Sequence, residues 1–281
     1  GRKGGDGGDI ETSGYNLRIN KILISTKALV GKDGRWLLDP PNIYINEYNN
    51  SDYENDSGVI TGTASDSYVS TETIVQALSA SDVTIKTTNP SSGSVSGAGD
   101  IHINSPINDS SGNNLSFDAA GSISIHDNYD GPMISRSGSG NLTLLSAENI
   151  NVHGDIALGS GGVLTFESGS SIMFDGNFSG AGASFVKNGS SSMMVEGKMT
   201  HTGSTTINAG YLMSGRRFAY SGDTTGALSG ESDLIVASGA HLHLENNDSV
   251  KSISGAGDVR LGGSSLTING GSADLVFSGT I

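Results

Sequence analysis

The clearest arrangement for metal chemistry is in residues 240–245, where His241, His243 and Glu245 alternate with leucines. If the segment is a strand, these three side chains share one face, because side chains alternate across a strand. Imidazole and carboxylate groups are common zinc ligands, but three of them on one flat strand converge poorly on a tetrahedral ion. We therefore favour a solvated outer face and expect no metal site here.

Residues 4–9 resemble half of a calcium-binding glycine-rich repeat. The position that needs an apolar residue holds Glu11, and no tandem copy follows. The pattern is therefore too incomplete to predict a calcium site.

Two residue pairs could act as an acid and a base on one strand face: Asp100 with His102, and Asp258 with Arg260. Enzymes that cleave polysaccharides need clustered carboxylates, whereas Asp and Glu are scattered here and fall mostly in turn-like segments. No Gly-x-Ser-x-Gly motif is followed by a helix pattern. We expect no catalytic residue and no cofactor, and we keep a β-helical polysaccharide-degrading enzyme as the less favoured alternative.

Two polar segments carry groups suited to ligand binding. Residues 47–68 are acidic and rich in Asn and Ser, and residues 213–230 hold an arginine pair beside aromatic residues. Tyrosine rings can stack on a sugar or anchor a protein, and Asn and Asp hydrogen-bond to hydroxyl groups. The candidate ligand-binding residues are Tyr48, Asn49, Asn50, Asp52, Tyr53, Tyr68, Arg216 and Arg217. The alternative interpretation of residues 47–68 is a solvated spacer.

Asn-x-Ser/Thr sequences, which are acceptors for N-linked sugar, are slightly more frequent than chance. The candidate residues are Asn49, Asn55, Asn108, Asn114, Asn141, Asn177, Asn188 and Asn247. We expect sugar, if present, on Asn49 or Asn55 first, because asparagines in regular coils can be engaged in turns or ladders.

Composition excludes several classes of protein. The 281 residues include 42 Gly and no Cys, and the formal net charge is −14. A disulfide scaffold is impossible, and an acidic chain without a basic patch is a poor partner for nucleic acid. The scarcity of Ala, Leu, Glu and Lys argues against a helical bundle.

Short apolar strands recur along most of the chain and are separated by Gly, Asn, Asp and Ser. Strands beginning at Ile101, Ile123, Leu142, Val163, Phe185 and Ile207 suggest a repeat of about 21 residues. Stacked coils of this length predict an all-β fold, a right-handed parallel β-helix in which each strand pairs with its equivalent in the next coil. The expected interior residues are Ile101, Ile103, Ile123, Ile125, Leu142, Leu144, Val163, Phe166, Ile207, Leu242, Leu244 and Ile268.

The segment 70–79 interrupts the strand pattern and predicts one short helix. Ser70 is the expected N-cap, with Thr73 three residues later. The preceding segment, 47–68, is expected to be a loop that leaves the coil. Because loop length costs little, we expect deletion of residues 49–65 to leave the rod folded.

Two parts of the sequence resemble known families of exported bacterial proteins. The sequence Gly-Gly-Asp-Ile-Glu-Thr-Ser-Gly at residues 7–14, followed by Trp-Leu-Leu-Asp-Pro at residues 36–40, resembles filamentous-haemagglutinin-like exoproteins, particularly the high-molecular-weight adhesins of two-partner (type Vb) secretion. Residues 185–281 resemble autotransporter-associated β-strand repeats, with Thr-Gly-Ser-Thr-Thr-Ile-Asn-Ala-Gly at residues 202–210.

The resemblance implies a secreted bacterial surface adhesin that binds a host-cell glycan or protein. It implies export by the outer-membrane transporter of the two-partner pathway, through a domain that this chain lacks, and glycosylation at Asn-x-Ser/Thr sites. The whole of residues 1–281 is then one β-helical segment of a longer fibre, and we expect a monomer. A purely structural stalk of a large exoprotein or contact-dependent toxin is the main alternative.

Overall fold

The computed structural model describes residues 5–13, 17–19, 23–39, 42–47, 66–88, 99–215, 226–270 and 276–281. These residues form many short strands and one helix. The strands are β1 (Ile10–Ser13), β2 (Arg18–Ile19), β3 (Arg35–Asp39), β4 (Asn42–Asn46), β5 (Asp66–Ser70), β6 (Asp82–Lys86), β7 (Ile101–Ile103), β8 (Ile107–Asp109), β9 (Leu115–Ala119), β10 (Ile123–Ile125), β11 (Ile134–Arg136), β12 (Leu142–Ser146), β13 (Ile150–Val152), β14 (Ile156–Leu158), β15 (Val163–Ser168), β16 (Ser171–Phe174), β17 (Phe178–Ser179), β18 (Ser184–Lys187), β19 (Ser192–Val195), β20 (Ser204–Ile207), β21 (Gly210–Ser214), β22 (Asp233–Val236), β23 (Ala240–Leu244), β24 (Asp248–Val250), β25 (Ser252–Gly255), β26 (Asp258–Arg260) and β27 (Leu266–Ile268). The helix, α1, spans Thr71–Leu78.

The strands stack into three parallel faces. Face A contains β1-β3-β6-β9-β12-β15-β18-β20-β22-β25, face B contains β2-β5-β4-β7-β10-β13-β16-β19-β21-β23-β26, and face C contains β17-β14-β11-β8. From β7 onward the chain passes through faces B, C and A in turn before it reaches face B again. The backbone N–H of Met199 donates a hydrogen bond to the carbonyl of Ala227, and that of Gly226 donates to the carbonyl of Asn247. These hydrogen bonds extend face C towards the two-stranded sheet of β24 and β27. This arrangement confirms the predicted parallel β-helix.

The coil length varies around the predicted value. In face B the successive register partners Ile101, Ile123, Ile150, Ile172 and Met193 are 22, 27, 22 and 21 residues apart. The longest of these coils has additional residues between β10 and β11. The strand starts that suggest the repeat in the sequence are therefore not all equivalent, because Ile101 and Ile123 lie in face B whereas the other starts lie in face A.

Alternation of side chains across each strand builds the interior. Ten of the twelve expected interior residues are buried, and two are not. In β15 the inward residues are Leu164 and Phe166, so Val163 is only half-buried on the outer side. Ile268 is 52% exposed in β27, a strand that pairs only with β24 among the described residues.

The single helix follows its predicted cap. Ser70 is extended and its Oγ accepts a hydrogen bond from the backbone N–H of Thr73 at 3.3 Å. The buried side of α1 includes Ile74, Ala77 and Leu78. The helix packs against β8, the end strand of face C, and so covers an edge that would otherwise expose unpaired backbone groups.

The first excursion is shorter than expected, because residues 66–68 belong to β5 and not to a loop. β5 pairs in parallel with β4, with Asp66 opposite Asn42 and Ser70 opposite Asn46. The chain must therefore travel back about 14 Å from the end of β4 to the start of β5, given about 3.3 Å per strand residue and about 4.8 Å between strands.

This geometry shows that the expected tolerance of a 49–65 deletion is wrong. Only Glu47 and Tyr48 would then join Asn46 to Asp66, and three Cα–Cα steps reach only about 11 Å. Parallel strands need a connection that crosses back along the pair, and the shortened chain cannot make it.

In the part of the chain that the structure describes, α1 is too short to cross a lipid bilayer, and no longer apolar helix is present.

Candidate functional site

Most of the expected ligand-binding residues lie outside the described residues. These are Tyr48, Asn49, Asn50, Asp52, Tyr53, Arg216 and Arg217, together with the sequon residue Asn55. The structure therefore places only Tyr68 from that set.

Tyr68 lies in β5 and belongs to a stack of rings on the outer side of face B. Its ring stacks on Tyr44 at a centroid distance of 5.4 Å, and Tyr44 stacks on His102 at 4.7 Å. His102 in turn lies 6.0 Å from His126, with an interplanar angle of 19°. One face of the Tyr68 ring is thus covered by a neighbour, so Tyr68 is a member of a ladder and not a loop residue.

The ladder continues beyond its stacked rings. His153 follows Val152, the register neighbour of Ile125, and its Nδ1 lies 2.9 Å from a carboxylate oxygen of Asp175. The pKa of His126 is lowered, mainly by burial and also by the positive charges that His102 and His153 can carry. We call Tyr68, Tyr44, His102, His126 and His153 the ring stripe.

Sequence reasoning missed the ring stripe, since its members are far apart in the chain. Aligning coils on face B would have placed Tyr44 opposite His102. Stacked imidazoles do not converge on a common point, and the described residues contain no group of three His, Cys, Asp or Glu able to hold a metal ion. The stripe stabilises successive coils through ring contacts.

The histidines considered as metal ligands have other neighbours. The ring of His241 stacks on Tyr211 at 4.4 Å, and its Nδ1 lies 3.2 Å from Asp258 Oδ2. His241 Nδ1 makes no hydrogen bond in the described part of the chain, so this contact is a close approach and not a hydrogen bond. His241 and His243 are both half-buried on the outer side of β23.

The carboxylates of the two acid–base pairs considered from the sequence are hydrogen-bonded to neighbouring coils. Asp100 Oδ1 accepts a hydrogen bond from the backbone N–H of Ser122 at 2.7 Å, and Asp258 accepts one from the hydroxyl of Thr280. Both carboxylates therefore tie one coil to the next. Asp100 precedes β7, as expected of a turn residue, whereas Asp258 begins β26 and is not in a turn.

Among the described residues, two basic side chains are enclosed in the rod. Arg136 is enclosed between β8 and β12, where it pairs with Asp109 and donates to the backbone carbonyls of Asn113 and Asn141. Lys187 donates to three carbonyl oxygens that close turns, those of Asn188, Gly189 and Ala209. Burial lowers the pKa of Lys187 to about 8, although Glu167 opposes this shift. Both cations act as internal caps for backbone carbonyls.

The second excursion is shorter than the expected 213–230, because Met213 and Ser214 belong to β21, and Asp248 holds the described residues on either side of residues 216–225. Ser214 donates its hydroxyl to Asp248, and the backbone N–H of Leu228 donates to Asp248 Oδ1 at 3.1 Å. The N–H of Ala227 donates to Ser214 Oγ at 3.1 Å. Burial raises the pKa of Asp248, against the opposing effect of these hydrogen bonds. Both ends of the excursion are thereby fixed to one buried carboxyl group.

The described sequon asparagines differ in how their side chains are used. The Nδ2 groups of Asn114 and Asn177 donate to Asp82 at 3.0 Å and to Asp155 at 2.9 Å. Asn108 is exposed on the outer side of β8, and its amide makes no hydrogen bond with any described residue. The amide oxygens of the other three accept hydrogen bonds: Asn141, Asn188 and Asn247.

Comparison with known proteins adds no relative. A scan against models of protein families and searches of the curated proteins and of the solved structures each found no match to this chain.

Proposed function

We propose that the chain is a segment of a secreted bacterial surface adhesin, a rigid β-helical rod that presents loops to a host-cell glycan or protein. The observation that carries the proposal is the anchoring of both excursions. The first leaves β4 and returns in β5, which pair over five residues, and the second has stems tied to Asp248. Binding residues are commonly found on loops that a rigid scaffold holds in place.

In this proposal Tyr48, Tyr53 and Arg216 belong to the contact surface, and the coils set the spacing between the two excursions. The resemblance in sequence supports export by the two-partner transporter and a place at the bacterial surface. In this proposal the chain acts as a monomer and without a cofactor. A structural stalk would need only the coils, and an enzyme would need a cluster of acid and base groups.

A glycan array and a cell-binding assay with the purified chain test the proposal. We expect saturable binding, reduced by Tyr48→Ala with Tyr53→Ala or by Arg216→Ala with Arg217→Ala. Tyr129→Ala is the matched control, because Tyr129 is an exposed tyrosine on a described coil. Absence of binding to both surfaces would favour the stalk, and cleavage of a polysaccharide by the purified chain would favour the enzyme.

A further inference from the structure

A shallow groove with a volume of about 390 Å³ runs along the outer side of face A. Two rows of side chains line it. One row lies at the beginnings of β6, β9 and β12, where Asn114 and Asn141 immediately precede their strands, and the other row lies within the three strands. The first row is Asp82, Asn114 and Asn141, and the second row is Thr84, Ser116 and Thr143.

The first row is occupied by its own hydrogen bonds. Asp82 accepts from the backbone N–H of Asn114 at 2.7 Å, Asn114 Oδ1 accepts from the N–H of Asn141 at 3.0 Å, and Asn141 Oδ1 accepts from that of Val163 at 3.0 Å. This ladder fixes the beginnings of the strands and forms one wall of the groove.

The second row has hydrogen-bonding capacity left over. Thr84, Ser116 and Thr143 are half-buried residues, and their hydroxyls make no hydrogen bond with any other residue in the described part of the chain. Each hydroxyl can donate one hydrogen bond and accept others. Because neighbouring strands lie about 4.8 Å apart, the groove offers one such group at each step along the rod.

The charge of the groove limits its ligands. Asp9, Asp33 and Arg35 line the groove beyond Asp82. Arg35 is paired with Asp9 at 3.3 Å, so the carboxylates of Asp33 and Asp82 leave an excess of negative charge. A negative groove repels anions and lowers their local concentration.

We propose that this groove binds an uncharged, unbranched oligosaccharide that lies along the rod axis. Its repeating hydroxyl groups match the repeating hydroxyls of Thr84, Ser116 and Thr143, and its lack of charge suits the carboxylates nearby. No aromatic ring lines the groove, so binding rests on hydrogen bonds and is weak, roughly millimolar. The site lies on face A, away from β4 and β5 on face B, and the inference does not rest on the proposed adhesion.

Titration of the ¹⁵N-labelled chain, followed by NMR, suits an affinity in this range. The probes are N-acetylglucosamine oligomers and cello-oligosaccharides of one to six sugar units, with oligogalacturonates as the anionic series. We expect shifts at the amides of β6, β9 and β12 with both uncharged series, an affinity that rises with length and then levels off, and no shift with the anionic series.

The variant Thr84→Val with Ser116→Ala and Thr143→Val should weaken binding by roughly tenfold or more, because three hydrogen bonds are lost. Thr165→Val with Thr206→Val is the matched control, because these threonines continue the same row outside the groove. The control should bind like the wild type. Equal binding by the triple variant, no shift with either uncharged series, or preference for oligogalacturonate would overturn the inference, whatever the result of the cell-binding assay.

Discussion

The guanidinium group of Arg136 and the carboxylate of Asp109 form an ion pair enclosed by the rod. Nη2 lies 2.9 Å from Oδ2, and the two side chains are 0% and 2% exposed. Asp109 also accepts hydrogen bonds from the N–H and hydroxyl of Ser111, and this network joins face C to the corner that leads into face A.

Removing one partner of this pair should be costly, because the other charge stays buried without compensation. We expect Arg136→Met to lower the free energy of unfolding by about 3–5 kcal/mol, measured by urea denaturation. Arg136→Met with Asp109→Leu should lose less than the sum of the single substitutions, since it removes both charges. An additive double variant, or an unchanged midpoint for Arg136→Met, would show that the pair does not stabilise the rod.

Acid should destabilise the rod through His201, which is buried beside Phe178 with ring centroids 4.8 Å apart. Burial lowers the pKa of His201 to about 4 from its ordinary value of 6.5. Between these two pH values the unfolded chain binds the extra proton, so stability falls as the pH drops from 6.5 to 4, by about 3 kcal/mol in all. His201→Leu should flatten this part of the Tm–pH curve.

His243→Gln is the control for that experiment, because His243 is half-buried on the outer side of β23 and lies outside the ring stripe. This variant should keep the wild-type slope between pH 7 and pH 4.5. If His201→Leu also keeps the slope, the buried imidazole is not the source of the acid sensitivity.

Glycosylation should follow the availability of the asparagine amide. We expect sugar on Asn49 or Asn55 first, and on Asn108 before any other described sequon, because Asn108 is exposed and its amide is not hydrogen-bonded to a described residue. Asn114 and Asn177 should stay unmodified, since their Nδ2 groups are bonded to carboxylates. Glycopeptide mapping of natively secreted protein checks this order, and sugar on Asn114 with none on Asn108 would reverse it.

Deletion of residues 49–65 should detach β5 and α1, because the remaining residues cannot join Asn46 to Asp66. We expect a fall in Tm of roughly 5 °C or more, whereas a Gly–Ser segment of the original length should preserve the Tm. A shortened chain that unfolds at the wild-type temperature would contradict the parallel pairing of β4 with β5.

Local pattern was sufficient for part of the fold. Alternation of apolar and polar residues placed Ile101 and Ile123 inside, and the cap at Ser70 located the helix. Even the burial of Arg136 follows from alternation, because Arg136 stands two residues after the inward Ile134. The twelve expected interior residues are all apolar, so Arg136 is not among them.

Long-range pairing could not be read in the same way. Each coil holds three similar short strands, so spacing alone did not show that Ile123 and Leu142 lie on different faces. β5 lies between β2 and β4 and is parallel to β4, so the chain must cross back along β4 before β5 begins. No local sequence pattern encodes that crossing. The groove on face A likewise exists only once Thr84, Ser116 and Thr143 are brought into register.

Replacement of residues 49–65 by a Gly–Ser segment of equal length, followed by measurement of cell binding, tests the proposed adhesion most directly. The rod, β5 and α1 should stay folded, while saturable binding to host cells should be lost or weakened by roughly tenfold or more. Binding of the replaced chain with unchanged affinity and the same saturation level would contradict the proposal that this excursion contacts the host surface.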